Sequence, residues 1–591
     1  MQLFDKNMAL HNQDVITPDD VKSLPSLFQE RIKRSAHKTA YRYFNLSENA
    51  WCDINWLTMS RRAAQWQSAF LSEGLKAGDR VAIMLPNSIE WVMFDQAAMG
   101  LGLIVVPLHN NDSAENAAFI LRDSGSELLF IDGPERWDII EPARDKLGDI
   151  SRIITVDKID QEPIDPRICL LSDWLKGEDR EYSVMDLEPD QMATIVYTSG
   201  TTSRPKGVKL SHQNILWNAW SAFRSVNISI DDTFLSFLPL SHTYERTIGY
   251  YLPIMMGAVV AYARSIPLLS EDLLIIKPTV LITVPRIFER IYMKIETQLS
   301  QGFFVRRWLF EMAVKLGWNY FQVIQEKRRR NIWVLFWPLF RRLVASHILS
   351  RFGGRLRVSV SGGAALSPKI AKVFIGLGVP LLQGYGLTET SPVISVNRLH
   401  DNDPESVGIP LNDVTLKLGL DQEILVKSPG VMMGYWNRVE ETKKRIDDEG
   451  WLHTGDKGEI RERHLYITGR IKEIIVMANG EKASPVSMEM AILLDSLFIQ
   501  AMVLGDNRPF LSAIVVLDPD QWKKLARKLQ LNTKDPLSLL DRKLEHIVAH
   551  RIQHLLIRFP EYTKVRRVAM TLDEWTMQNG MLTPTLKIKR D

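Results

Sequence analysis

In the N-terminal part of the chain, amphipathic stretches of helical length alternate with short, wholly apolar runs. A helical pattern from about Thr58 to Glu73 stops at Gly74, and the run Val81–Leu85 ends at Pro86-Asn87. Helical spacing returns over Trp91–Met99, followed by the run Leu103–Val106, which Pro107 closes. A third unit joins a helix over Ala114–Arg122 to a strand over Leu128–Ile131, ended by Asp132-Gly133. Continuous apolar strands between helices belong to parallel sheets covered on both faces. The expected class is therefore α/β, with a large N-terminal domain of doubly covered, mostly parallel sheets. No fixed-period repeat of the solenoid kind is visible.

After about Leu411 the pattern changes. Short segments such as Thr415–Leu418, Glu423–Lys427 and Gly458–Arg461 are separated by Gly, Pro and Asp, which predicts a small antiparallel β region. From Arg470 the chain reads as self-contained, with strands near Ala501–Leu504 and Ser512–Leu517, helices near Gln521–Leu529 and Arg542–Ile557, and a final strand near Val565–Thr571. The expected division is a large domain over 1–468 and a small α+β domain over 469–591.

Composition narrows the function classes. The chain has 591 residues, 45% hydrophobic and 24% charged, a multidomain length with no collagenous or disordered bias. Its 73 basic and 70 acidic residues leave a net charge of +3, too small for a whole-protein nucleic-acid binder. That near-neutral total is unevenly spread. Between Phe303 and Arg357 twelve basic residues face only Glu311 and Glu326, a net of +10, which leaves −7 for the rest. Trp308, Trp318, Trp333 and Trp337 and the apolar run Ile332–Phe340 interleave with these charges. Such a stretch reads either as a membrane-surface anchor for anionic lipid or as a solvated basic face with its tryptophans in core. The longest uncharged run, between Arg246 and Arg264, has 17 residues and contains Pro253. It falls short of the roughly 20 apolar residues that a spanning helix needs, so the expectation is a soluble or peripherally attached protein. The N-terminus carries no secretory pattern, and two cysteines, Cys52 and Cys169, favour a reducing, cytoplasmic compartment.

Four stretches carry candidate chemistry. The apolar strand Ala193–Tyr197 feeds a hydroxyl- and glycine-rich loop with Thr198, Ser199, Gly200, Thr201, Thr202 and then Pro205-Lys206-Gly207. Successive backbone N–H groups in such a loop form an anion-binding concavity, and Lys206 adds a point charge suited to phosphate. The spacing is not that of the common nucleotide P-loop, and a plain Ser/Thr linker is the alternative. After the run Val379–Leu382 comes Gln383-Gly-Tyr-Gly-Leu-Thr-Glu-Thr390. Gly384 and Gly386 allow close approach, Tyr385 offers a flat face, and Thr388 beside Glu389 is a hard-oxygen pair suited to phosphate and Mg²⁺; a tight structural turn is the alternative. Third, Asp456 in Gly450-Trp-Leu-His-Thr-Gly-Asp456 can accept ribose hydroxyls or serve as a simple turn residue. Last, the chain ends Leu582-Thr-Pro-Thr-Leu-Lys-Ile-Lys-Arg-Asp591, where a lysine is ordinarily a solvated charge.

In order, TSGTTSRPKG, GYGLTET, WLHTGD, GRIKE and LTPTLKIKR resemble the motifs of the adenylate-forming (AMP-binding) superfamily over nearly the whole chain. Leu238-Pro-Leu-Ser-His-Thr-Tyr-Glu-Arg246, Val284-Pro-Arg-Ile-Phe-Glu-Arg290 and Val358-Ser-Val-Ser-Gly-Gly-Ala-Ala365 resemble the long-chain fatty acyl-CoA synthetase branch. The resemblance implies ATP-dependent activation of a fatty acid to acyl-AMP, release of pyrophosphate, and transfer to the thiol of coenzyme A. By the same resemblance, Thr198–Lys206 would hold the β- and γ-phosphates, and Glu389 would bind Mg²⁺ with Thr201 nearby. Gly363, Ala364 and Tyr385 would line the adenine, Thr388 would reach the α-phosphate, and Asp456 with Arg470 would hold the ribose. Lys587 matches the catalytic lysine, carried by a small domain that rotates about the hinge position, here Gly469. His242, Trp217, Trp220 and Tyr250 are candidate walls of the fatty-acid pocket. Two other readings stay open: an adenylating enzyme that loads an acyl carrier protein, and a non-catalytic lipid-binding scaffold.

Overall fold

The computed structural model describes residues 14–159, 165–176, 180–198, 204–301, 303–329, 332–576, 579–582 and 588–590. Two large sheets form the body. One runs, in spatial order, Gly434–Tyr435, Lys206–Ser211, Met192–Thr198, Ile104–Pro107, Arg80–Met84, Ser126–Ile131, Arg152–Thr155 and Ile168–Leu170. The other runs Ile409–Pro410, Val393–Val396, Leu381–Gly386, Val358–Ser361, Val280–Thr283, Thr233–Ser236, Val259–Tyr262, Thr39–Asn45 and Ala50–Asn55. Pairing is parallel through the middle of both sheets and antiparallel at their edges, except that the first sheet ends on the parallel pair Arg152–Thr155 and Ile168–Leu170. This is the expected α/β class.

Double coverage follows from the two-residue period of a strand. Val81 and Ile83 face the principal core, while Ala82 and Met84 between them face a second one. In the other sheet Val280 and Ile282 face the principal core and Leu281 faces a third. Both faces must be apolar, which is why these strands read as unbroken hydrophobic runs. Helices start and stop where local chemistry allows. Asn55 accepts from the N–H of Thr58 at 2.8 Å to open Trp56–Ser72, and Gly125, at φ 62°, closes Ala114–Ser124 in the left-handed conformation.

The β region after Leu411 is an antiparallel sheet of Thr415–Leu418, Glu423–Lys427, Leu452–Arg461 and His464–Arg470. Its third strand is longer than the expected Gly458–Arg461, because the Trp-Leu-His-Thr-Gly-Asp segment is itself extended. Beyond Arg470 a separate core gathers Met488, Val503, Val515, Trp522 and Val548. It is built on the sheet Phe498–Leu504, Leu511–Leu517, Val565–Thr571 and the helices Pro519–Leu529 and Arg542–Leu555.

The basic segment holds the helix Phe304–Ile324 and a continuous helical stretch, Ile332–Arg351. That stretch corrects the expectation that no segment reaches spanning length: with only Arg341 and Arg342 inside its apolar portion, its 20 residues are long and apolar enough to cross a membrane, and the body buries 11% of that portion. It lies along the preceding helix, with Trp337 and Ala345 buried in the contact. Two tryptophans take each of the alternatives. Trp308 and Trp333 are exposed, whereas Trp337 is buried and Trp318 stacks on Phe321.

Candidate active site

Met192–Thr198 and Lys206–Ser211 pair antiparallel, with Thr198 opposite Lys206 at the open end. The expected phosphate loop connects them; Ser199, Gly200, Thr201 and Thr202 lie outside the described residues. Lys206 makes an ion pair with Glu441 and sits 5.4 Å from the centre of the Tyr435 ring. Tyr435 occupies the short strand Gly434–Tyr435, hydrogen-bonded to the Lys206 strand. Its hydroxyl donates to Oε1 of Glu389 at 2.8 Å, and Arg445 reaches the same oxygen at 3.4 Å. Burial and then the Glu389 charge push the Tyr435 hydroxyl far above its usual range, so it stays a donor. Glu389, nearly buried, sits on the turn Thr388–Thr390 that follows Leu381–Gly386.

The second cluster lies at the other end of that strand's closing motif. The Tyr385 hydroxyl donates to Oδ2 of Asp456 at 2.6 Å, and Nε of Arg470 donates to Oδ1 at 2.8 Å. Asp456 and Arg470 are cross-strand partners in the small antiparallel sheet, so register alone places them together. Asp456 is therefore a buried strand residue, 2% exposed, and the simple-turn alternative is corrected: only Gly455 before it has a turn-like φ of 70°. Burial first, and then Asp456, raises the Tyr385 hydroxyl well above its ordinary value. For Arg470 burial is the largest influence and opposes the charge, but Asp456, Glu473 and Tyr385 together outweigh it and the guanidinium is raised. Each carboxylate oxygen has two acceptor sites, so Asp456 keeps capacity for ribose hydroxyls beyond these two bonds.

Adenine-lining candidates fall at the same edge. Gly363, at φ 79°, and Ala364 are exposed just past Val358–Ser361, the parallel neighbour of the strand that carries Gly384, Tyr385 and Gly386. Ligands of open parallel sheets bind at this C-terminal edge. Gly384 and Gly386 belong to the strand rather than to a strand-to-helix turn. A side chain at Gly386 would collide with the carbonyl of Pro392, so this glycine answers to backbone packing. His242 accepts from the N–H of Tyr244 at 3.2 Å, and Tyr244 lies under Gly362, beside the Gly363 loop. Trp217 packs on Gly430, next to the carbonyl of Thr390; Trp220 is partly buried against the principal core. Tyr250 is a correction: it is fully buried, accepts from Gln96 at 2.5 Å and donates to Asp95 at 3.1 Å. Its hydroxyl serves a buried polar cluster with Arg246 and Tyr251 rather than a pocket wall.

Lys587 lies outside the described residues; the nearest described ones are Leu582 and Ile588–Arg590. Ile588 bridges Leu582, and Arg590 grips the buried Glu489 at 2.8 and 2.7 Å. Gly469, the expected hinge, is inside His464–Arg470, where an added Cβ would stand 3.2 Å from Oγ of Ser484. Sequence reasoning missed Tyr435, Glu441 and Arg445. For Glu441 and Arg445 the only signal is a helix with acids in its first turn and bases in its last, which is also what the helix dipole favours, and Tyr435 sits on a two-residue strand before it.

A buried carboxylate clamp and a lysine-bearing hairpin at the carboxyl edges of parallel strands define an α/β nucleotide-binding enzyme. The chain belongs to the AMP-binding enzyme family: the family profile matches residues 28–436, and that of the AMP-binding enzyme C-terminal domain matches 472–538. The long-chain-fatty-acid–CoA ligase FadD15 of Mycobacterium bovis is 28% identical over 558 residues, 93% of this chain and 91% of that protein. The peroxisomal long chain acyl-CoA synthetase 7 of Arabidopsis thaliana is 30% identical, over 91% and 80%. A chloroplastic long-chain-fatty-acid–[acyl-carrier-protein] ligase of the same plant, AEE15, is 29% identical, over 88% and 78%. Among solved structures, the adenylation domain of a carboxylate reductase from Mycobacterium chelonae superposes with a TM-score of 0.76 at 20% identity, over 96% of this chain and 88% of that one, which bears on the fold alone.

Proposed function

We propose that this chain is a long-chain fatty acid–CoA ligase. It joins a fatty carboxylate to the α-phosphate of ATP, expelling pyrophosphate, and then passes the acyl group from acyl-AMP to the thiol of coenzyme A. The observation that carries this reading is the buried Asp456, held by Tyr385 and Arg470 with spare acceptor sites at the edge where Gly363 and Ala364 are exposed. It is a ready seat for a ribose and its base, in a chain that is similar to long-chain CoA ligases over more than nine-tenths of its length.

In this reading the hairpin ending at Lys206 takes the β- and γ-phosphates, and Thr388 reaches the α-phosphate. Lys587 supplies positive charge as the carboxylate attacks, an electrostatic role of several kcal/mol in comparable sites. Rotation of the small domain about Gly469 brings Lys587 in for adenylation and withdraws it for thioester formation. Magnesium suits the donor set: Glu389 offers a hard carboxylate oxygen, and such ions are held by one or two carboxylates plus substrate phosphates. Glu389 and Thr201 would hold it, and the ion would neutralise charge on the phosphates.

We also read residues 303–357 as a peripheral contact with anionic membrane from the cytoplasmic side. Phe303, Phe304, Ile332, Leu335 and Trp333 are exposed among the basic residues, as an interfacial anchor requires. The two cysteines, both free, accord with a reducing compartment.

The test is a panel of C2–C20 carboxylic acids assayed for ATP-dependent pyrophosphate release with CoA, with an acyl carrier protein, and with neither. Release should peak at long chains, and thioester should form on CoA. Thioester formed only on the carrier protein would establish the other acceptor, and no release with any acid would favour the scaffold.

A further inference from the structure

Helix Val439–Arg445 sits against both of the charged groups to which the ligase reading gives Mg–ATP. Its Glu441 pairs with Lys206, and its Arg445 reaches Glu389 at 3.4 Å. The two residues are four apart, so they share one face of the helix, with the acid toward its N-terminal end and the base at its C-terminal end. That face thus presents an anion to the phosphate lysine and a cation to the metal carboxylate, the same two charges, in the same places, that Mg–ATP would present.

We propose that this helix is a built-in occupant of the Mg–ATP site, which the nucleotide and its metal displace from Lys206 and Glu389. The inference rests on the function proposed above for these two residues. The helix is anchored independently of those contacts. Tyr435 N–H donates to Oγ1 of Thr442 at 2.9 Å, and Arg438 holds Asp123 at 2.8 Å. Its two charged contacts are of a kind that yields readily. The side chains of Lys206 and Glu441 are 34% and 38% exposed, although Oε2 of Glu441 is itself buried, and partly exposed pairs contribute little. Nε of Arg445 is buried without a hydrogen-bond partner among the described residues, so its guanidinium is incompletely satisfied where it stands. A triphosphate brings more negative charge to Lys206 than one carboxylate does, and a divalent ion brings more positive charge to Glu389 than one guanidinium. Without nucleotide, the helix keeps Glu389 and Lys206 from standing as uncompensated charges. A plain surface ion pair would have no consequence for ligand binding, which separates the two views.

Calorimetric titration with ATP in EDTA, and with the non-cleavable α,β-methylene ATP over a Mg²⁺ series, tests this without turnover. Glu441→Gln should tighten metal-free ATP binding roughly two- to five-fold, the span of a partly exposed ion pair. Arg445→Gln should lower the Mg²⁺ concentration for half-maximal binding by a similar factor. Glu440→Gln, one residue away and paired among the described residues with Lys443 on the outer face, should match wild type. Unchanged or weaker binding in Glu441→Gln, or an unchanged or raised Mg²⁺ midpoint in Arg445→Gln, would overturn the proposal. A variant-free measurement covers loss of folding: amide exchange over 439–445 in the wild-type protein should quicken when Mg–α,β-methylene ATP binds, and slower or unchanged exchange would also overturn it. Wild-type protein that binds no ATP at all would remove the ligase reading and this inference together. Wild-type binding with unaltered variants would remove only the inference.

Discussion

Asp456 accepts from a tyrosine hydroxyl and a guanidinium at once, and both bonds need the full carboxylate. An amide in its place keeps one acceptor oxygen and turns a donor toward a donor. Hydrogen bonds to charged groups contribute about 1.5–3 kcal/mol each, so Asp456→Asn should raise the KM for ATP roughly ten-fold or more while leaving the fatty-acid KM close to wild type. Equal ATP saturation curves for the two proteins would refute the ribose role. Residue types at this site were legible wherever the chemistry is local. Tyr385, Glu389, Asp456 and Lys206 each stand in a short motif whose residue types suit phosphate or sugar, with a plain structural alternative beside each, and Arg470 was reached through the family resemblance. Tyr435 and Arg445 were not legible, because their meaning comes from a strand and a helix that meet Glu389 across some fifty residues of chain. Tyr250 was misplaced for a related reason: an aromatic with a hydroxyl suits a pocket wall and a buried polar cluster equally, and only Asp95 and Gln96 decide between them.

Secondary-structure elements were read well where both faces of a strand are apolar and a cap or proline marks the ends, as in Arg80–Met84 and Ile104–Pro107. Strand Leu452–Arg461 was read short, since Gly455 and Gly458 imitate turns inside it. The stretch Ile332–Arg351 was underrated, because Arg341 and Arg342 break its uncharged run without breaking its helical course. Its exposed apolar side chains sit beside those two arginines, and apolar burial contributes about 25 cal/mol per Å². The wild-type protein should therefore co-sediment with anionic vesicles more than with neutral ones. Combined Trp333→Ser and Leu335→Ser, both at exposed positions, should cut that binding several-fold without changing ATP-dependent activation of a soluble acid. No preference for anionic lipid, or full binding by the double variant, would count against the membrane contact.

At the scale of the whole molecule, the body and the C-terminal part have separate cores, and the +3 total conceals a basic face on a mildly acidic remainder. Two buried groups of the body make pH-dependent contributions of opposite sign to its stability. Burial pushes Glu245 up to about 8, and burial followed by the charge of Arg246 pushes His212 down to about 3. Below its ordinary value near 6.5 the unfolded chain binds a proton at His212 that the fold refuses, so that contribution falls as pH drops. Above about 4.5 the unfolded chain releases the Glu245 proton that the fold keeps until about 8, so stability falls as pH rises through that interval. Of these two groups only Glu245 acts between pH 6.5 and 8, at roughly 1.4 kcal/mol per pH unit. Chemical denaturation should show wild type losing stability over this window and Glu245→Gln losing roughly 2 kcal/mol less; parallel profiles would exclude Glu245 as the cause. The central claim, a fatty acyl-adenylate formed before CoA enters, is tested most directly by ATP–pyrophosphate exchange with a long-chain acid and no CoA. Acid-dependent exchange is expected in wild type, with its loss in Lys587→Ala while that variant still turns preformed acyl-AMP and CoA into thioester. Exchange near the wild-type rate in Lys587→Ala, or none in wild type without CoA, would contradict it.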